Sequence, residues 1–351
     1  MQIPASSRPA ASYYVLMATR LEVRNLTVEL PMQSGWVRPV NEVSFVLDEA
    51  ETLGIVGESG SGKTMLSLAL MGLEPPGARR KGEAWLHERD NTADIRGINL
   101  LAASSREMRA LRGREIAMIF QEPMTALNPV VRVGAQIEEA IRVHENRPNQ
   151  NEIHSRAIQF LERAALADPK LRARQYPHQL SGGLRQRVMI AMALAAGPGI
   201  LIADEPSTAL DVTVQKQILE LLAKLRKELR LSLLFITHDL GVVAQVADRI
   251  IVMYAGRIVE EGPTMDVLRH PRHPYTEGLL RAAPRLERGK LVPIPGTVPA
   301  LNALPPGCAF APRCSCHVTE CDAAVPNIRP AGPNHRARCI LVPWPQPTTM
   351  N

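Results

Sequence analysis

The stretch TLGIVGESGSGKTMLSLALMGL, residues 52–73, constrains this chain more than any other. A short apolar run, the length of a buried strand, feeds directly into a loop containing Gly57, Gly60 and Gly62. A run of small and apolar residues at helical spacing follows. Strand, glycine loop and helix are the context that the pattern G-x-x-x-x-G-K-[ST] requires to hold phosphate. Within Gly57, Glu58, Ser59, Gly60, Ser61, Gly62, Lys63 and Thr64, the glycines let backbone N–H groups approach an anion. Lys63 supplies a point charge for terminal phosphates, and the Thr64 hydroxyl is a ligand for Mg²⁺. The alternative is a glycine-rich turn matched by chance, and the flanking strand and helix count against it.

A second apolar run, ILIADEP (200–206), ends on paired carboxylates. A buried strand there delivers Asp204 to the sheet edge, where it can hold Mg²⁺ through water. Glu205 beside it can orient and deprotonate an attacking water. Alone, two acids after a strand could equally cap a helix; beside a phosphate loop the catalytic reading is stronger. A third feature, LSGGLRQR (180–187), reads as a helix start. Ser181, Gly182 and Gly183 form a second small, amide-rich anion site. One chain thus offers two phosphate cradles.

The 351 residues allow one large domain or two smaller ones. The net charge of +6 is too mild to argue for nucleic acid, and aromatics at 4% leave few platforms for stacking bases. The longest apolar stretch, 190–203, is broken by Gly-Pro-Gly and ends on Asp204, so no span is expected. Residues 1–18 read as a flexible tail, with Met17 as an alternative start. Alternation over 21–47 predicts half-buried strands, and residues 123–178 read as mainly helical. Beyond 180 helices and strands alternate, closing on a hairpin with Ala255-Gly256 at its turn. This order implies a largely parallel sheet with ligand at the strand C-termini. Val214, Ile218, Leu221, Leu225 and Leu229 form one helical stripe, read as core. From about 265 the composition shifts toward Pro, Arg, His and Cys.

Taken together, GESGSGKT, FQEP (120–123), LSGGLRQR, LIADEP, STALD (207–211) and THD (237–239) resemble the ATP-binding subunits of ABC transporters, in family order over roughly residues 20 to 340. The resemblance implies an α/β P-loop NTPase with a RecA-like parallel core, an antiparallel β subdomain and an inserted helical subdomain at about 123–183. Residues 19–265 would form the ATPase domain and 266–351 a C-terminal extension. It also implies roles. His238 would sense the γ-phosphate, and Gln121 the Mg²⁺ and attacking water. Asp211 would lie along a seam between two cassettes packed head to tail, with Ser181-Gly182-Gly183 of one closing over ATP held by the other. Trp36 is the nearby aromatic available to stack on adenine, with Val40 as the fallback.

QEPMTALNPVVRVGAQI (121–137), HPYTEGLL (273–280) and PIPGTVPALNALPPGCAFAPRC (293–314) narrow the resemblance to oligopeptide, dipeptide and nickel importers. LRQRVMIAMALA and IADEPSTALDVTVQ look more like their first ATPase subunit than their second. The implied assembly is a heterodimer with a paralogous ATPase, two permease subunits and a substrate-binding protein. It would sit on the cytoplasmic face of the membrane, driven by ATP and Mg²⁺, without nucleic acid. The competing class is a soluble ABC ATPase of DNA repair or translation. Such proteins commonly join two modules or insert long coiled coils, and neither is visible in the sequence. Cys308, Cys314, Cys321 and Cys339, with Cys316 as an extra thiol, have gaps that suit zinc poorly. Four thiolates could instead hold an iron–sulfur cluster, and some members of the resembled family carry a [4Fe–4S] site there; free thiols of a reduced protein are the alternative.

Overall fold

The computed structural model describes residues 18–33, 35–87, 97–122, 126–145, 149–208, 210–283 and 293–342. The expected tail and Met17 lie outside these residues. Among them, β1 (Thr19–Met32), β2 (Gly35–Asp48), β4 (Arg79–Leu86) and β5 (Ile98–Asn99) form an antiparallel sheet in the order β2-β1-β4-β5. The second sheet is built on β3 (Thr52–Val56), β6 (Ile116–Ile119), β7 (Ile200–Asp204), β8 (Ser232–Thr237) and β9 (Arg249–Tyr254). These five are parallel, in the order β9-β3-β8-β7-β6.

Both faces of the parallel core are covered, which is why its strands read as unbroken apolar runs rather than alternating ones. Ile200, Ile202, Leu234 and Ile236 face a core shared with β1 and β2. Their neighbours Leu201, Ala203, Leu233 and Phe235 face the opposite core, shared with the helices. Ile218, Leu221 and Leu225 of helix Val212–Leu229 are buried in that second core, as the stripe predicts. Each such side chain contributes roughly 1.5–3 kcal/mol of apolar burial, as an upper bound.

β9 turns back through Ala255 and Gly256, with φ of 46° and 83°, into β10 (Arg257–Pro263), the expected two-residue hairpin. The helix after the phosphate loop, Lys63–Met71, stops earlier than its downstream prolines suggest. Gly72 takes a left-handed conformation with φ of 61°, its N–H bonding Ala69 O, and Leu73 N–H returns to Leu68 O at 2.8 Å. A glycine cap therefore ends the helix before Pro75 is reached. Helices Val133–Arg142, Gln150–Arg163 and Pro169–Arg174 build the helical region, joined by Ile137, Ile141, Ile153, Ala157 and Leu161 in one core.

The segment beyond 265 does not hang free. β11 (Arg329–Gly332) and β12 (His335–Ala337) continue the main sheet, β12 pairing with β10 at Glu260 and Glu261. The wholly buried Glu260 accepts from Arg272 N–H at 2.6 Å and His273 N–H at 2.9 Å, and lies 2.7 Å from His335 Nε2. One carboxylate thus ties strand, turn and extension together.

Candidate nucleotide site

Four neighbouring parallel strands end at the same rim. Beyond β3 comes Gly57, beyond β8 His238, at the end of β7 Asp204 and just past it Glu205, and two residues past β6 Gln121. The residues that the sequence singles out separately are brought together by strand order alone.

The glycines of the loop are needed for space. A Cβ on Gly62 would lie 2.0 Å from Pro39 O, and one on Gly57 would lie 2.3 Å from Met253 O. Gly60 instead faces open space, and Ser59 and Thr64 are exposed. Lys63 is 5% exposed, and its Nζ donates to Gly57 O at 2.8 Å and Glu58 O at 3.0 Å. Burial lowers the affinity of that amine for its proton, opposed by Glu205, Asp204 and Glu58. A cation held on loop carbonyls beneath open backbone amides is poised to meet phosphate oxygens.

Asp204 is 1% exposed, and burial pushes its carboxyl up to about 6, against the lowering effect of a hydrogen bond from Thr64. Its Oδ1 is buried without a hydrogen-bond partner. A desolvated carboxylate oxygen left open beside a hydroxyl is a costly arrangement for a bare protein. It suits a hard divalent cation, so Thr64 and Asp204 fit Mg²⁺. When bound, that ion would neutralise phosphate charge.

Glu205 is where three side chains converge. Gln121 Nε2 donates to Glu205 Oε2 at 3.2 Å, Thr208 Oγ1 donates to the same oxygen at 2.8 Å, and His238 Nδ1 lies 3.2 Å from Oε1. The Glu205 backbone is left-handed, with φ of 47°, held by its N–H bonding Ile236 O at 2.9 Å. Such a backbone costs on the order of 1 kcal/mol in a non-glycine residue and persists where the surroundings fix it. Here it aims a carboxylate at the rim between an amide and an imidazole. That arrangement can take a proton from a water and hold the water in line.

The Ser181 cradle is elsewhere. Ser181 caps helix Gly182–Leu194, its Oγ accepting from Leu184 N–H at 3.4 Å, and Ser181 and Gly182 are exposed. A Cβ added to Gly183 would meet Val214 Cγ1 at 2.7 Å, and one on Gly182 would lie near Leu210. Among the described residues no hydrogen bond or ion pair joins 181–183 to 57–64. Asp211 caps the next helix, Oδ1 accepting from Thr213 N–H at 3.1 Å and Val214 N–H at 3.0 Å.

Trp36 lies on β2 opposite Pro31, 44% exposed, with the Arg79 guanidinium 3.9 Å from its ring centroid. Val40 is wholly buried in the antiparallel-sheet core and offers a ligand no surface. The iron–sulfur expectation also finds no support. Cys308, Cys314, Cys316, Cys321 and Cys339 are all free, and among the described residues no group of three His, Cys, Asp or Glu could hold a metal ion. Burial pushes Cys314 up to about 11 and raises Cys308 and Cys339, so in the metal-free fold these thiols hold their protons.

Three contacts were not legible from the motifs: Thr208 on Glu205, and Tyr275 and Arg313 on Glu58. Thr208 could have been found from its position three residues after Glu205 in a tight turn. The other two lie in the extension's own motifs, which carry no sign that they reach the phosphate loop.

The parallel core, phosphate loop and carboxylate pair define a P-loop nucleoside triphosphatase. The ABC transporter family model matches residues 40–208, and that of the oligopeptide/dipeptide transporter C-terminal region matches 259–321. A Brucella melitensis protein named as a peptide import ATP-binding protein is 48% identical over 330 residues, covering 91% of this chain and 96% of the relative. A Brucella abortus protein of the same description is 47% identical over 324 residues, with coverage of 92% and 95%. Among solved structures, a dimeric ATP-binding cassette in a post-hydrolysis state bound to ADP and Pi is similar at a TM-score of 0.60 and 29% identity, over 70% of this chain and 98% of the other. The cbiO1 protein of Clostridium perfringens, part of an ABC transporter complex, is similar at 0.59 and 25%, over 72% and 91%. The chain belongs to the ABC transporter ATP-binding family and is an ATPase. These similarities give no support to a role in DNA repair or translation.

Proposed function

We propose that this chain hydrolyses ATP to power peptide import through a membrane transporter. The observation that carries the reading is the convergence of Gln121, His238 and Thr208 on Glu205, beside a loop holding Lys63 and an unpartnered Asp204 oxygen. Glu205 takes the proton of the attacking water, Gln121 and His238 hold water and γ-phosphate in line, and Lys63 offsets charge on the transferring group. Ser181, Gly182 and Gly183 complete the corresponding site of a second cassette, with Asp211 along the seam, so that ATP becomes part of the interface. Support for pairing comes from the exposed, self-capped Ser181 segment and from the dimeric state of the similar cassette.

The pairing partner in this reading is a paralogous ATPase. Two permeases and a substrate-binding protein complete the assembly, with this chain at the cytoplasmic face. Residues 19–265 act as the ATPase domain and the segment from 266 as its extension. The relatives' description and the C-terminal-region match favour peptides over nickel or other small solutes. No described helix is long and apolar enough to cross a membrane, so attachment would run through the permeases.

The test is co-purification of the tagged chain from membranes, followed by uptake of labelled peptide and of nickel into vesicles carrying the assembly. Peptide uptake that needs ATP and is lost in Glu205→Gln is the expected result. A chain recovered without membrane subunits, or peptide uptake indifferent to Glu205→Gln, contradicts the proposal.

A further inference from the structure

Glu58 has three polar groups, and each is engaged. Its N–H donates to Tyr275 OH at 2.8 Å, and its carbonyl accepts from Lys63 Nζ at 3.0 Å. Its carboxylate receives both terminal nitrogens of Arg313, at 2.7 and 3.0 Å. Two of the three partners come from the extension, 217 and 255 positions along the chain. Neither is loose. Tyr275 is wholly buried and Arg313 is 7% exposed. Arg313 Nε also donates to Pro295 O at 2.9 Å, and its guanidinium sits 5.8 and 5.9 Å from the Tyr254 and Phe310 ring centroids.

A buried ion pair is weak evidence for stability, because desolvation offsets most of the attraction. Its planar, two-bonded geometry is better suited to fixing an orientation. What it orients is the second residue of the phosphate loop, followed at once by the exposed Ser59 and Gly60. Holding such a loop in its binding shape removes an ordering cost from each binding event.

We propose that Tyr275 and Arg313 are positioning residues for the ATP loop: the C-terminal extension clamps Glu58 and so fixes the peptide whose carbonyl holds the Lys63 ammonium. Both bond Glu58 directly. The inference rests on the reading of Gly57–Thr64 as the phosphate cradle.

The experiment is steady-state ATP hydrolysis by the full-length chain in its ATPase assembly, with thermal midpoints taken alongside. Arg313→Met is expected to raise the KM for ATP roughly 5- to 10-fold and Tyr275→Phe about 3-fold, with kcat within about 2-fold. Arg313→Lys, which keeps the charge and loses the fork, should fall between wild type and Arg313→Met. Glu58→Gln combined with Arg313→Met should be no worse than the more severe single change. Tyr275→Phe and Arg313→Lys keep the test alive should Arg313→Met fail to fold. Variants that lower the thermal midpoint yet leave KM within about 2-fold, or that lower kcat alone, overturn the clamp. Lys63→Ala separates the two readings. If it binds ATP normally, the phosphate-cradle assignment fails; if it loses ATP while Tyr275→Phe and Arg313→Lys stay neutral, only the clamp fails.

Discussion

The strand-end rim and the Ser181 helix start both present groups suited to phosphate, yet they differ in what they leave unsatisfied. At the rim, Lys63 is buried on carbonyls, Asp204 holds an unpartnered oxygen and Glu205 sits in a strained backbone. At the helix start no charge is buried. Ser181 bonds its own helix, and the exposed glycine beside it packs near Leu210. One end holds buried, incompletely paired charge, and at the other Ser181 is paired within its own helix. The difference teaches that the two cradles are not duplicates. In the proposed reading the rim does the chemistry, and the helix start docks against another chain's nucleotide.

Substitutions at each end separate these roles. Glu205→Gln removes the base while keeping the amide shape for Gln121 and Thr208. Turnover should fall roughly 100- to 10,000-fold with ATP binding retained, measured by phosphate release and nucleotide titration. Near-normal turnover would erase the contrast. Ser181→Arg places bulk and charge on the docking surface, and turnover should fall on the order of 100-fold. Because Ser181 has no described bond to the loop, ATP binding to the isolated chain should stay unchanged in the same titration.

Asp204 gives a subtler probe, through pH. Its carboxyl lies near 6 in the folded chain against an ordinary value of 3.8, so the fold binds an extra proton between those limits. The associated stability is present below about 4 and is lost as pH rises through 6. Asp204→Asn should therefore stabilise the nucleotide-free protein by about 1–3 kcal/mol at pH 7 and by little at pH 4. Mg²⁺-dependent hydrolysis should be lost at the same time. Thermal unfolding at the two pH values checks this, and a variant less stable at pH 7 would contradict it. The smallest effect is expected from Thr208→Val, which removes one of the bonds fixing Glu205; kcat should fall roughly 3- to 5-fold with KM unchanged.

The nucleotide motifs were legible because their chemistry is local. A strand, three glycines and a lysine dictate a phosphate loop wherever they fall, and Asp204 and Glu205 declare themselves at the end of a buried run. The meeting of Gln121, Glu205 and His238 depends on strand order, which sequence alone leaves to topology. The clamp on Glu58 was invisible because its partners lie 217 and 255 residues away, in motifs that do not say what they reach. The cysteine expectation found no support. Four thiols in one segment and the family resemblance suggested a cluster, but among the described residues no group of three such ligands could hold a metal ion. The end of helix Lys63–Met71 is set by a glycine cap four residues short of the first downstream proline, Pro75.

The central claim is that the rim of one chain and the Ser181 surface of another make one working site. Turnover per chain across a dilution series tests it most directly, for the chain alone and with its partner ATPase, in wild type and Ser181→Arg. A per-chain rate that rises with concentration or with added partner, and collapses in Ser181→Arg, is the expected result. A full rate that ignores dilution, partner and Ser181 alike would contradict it.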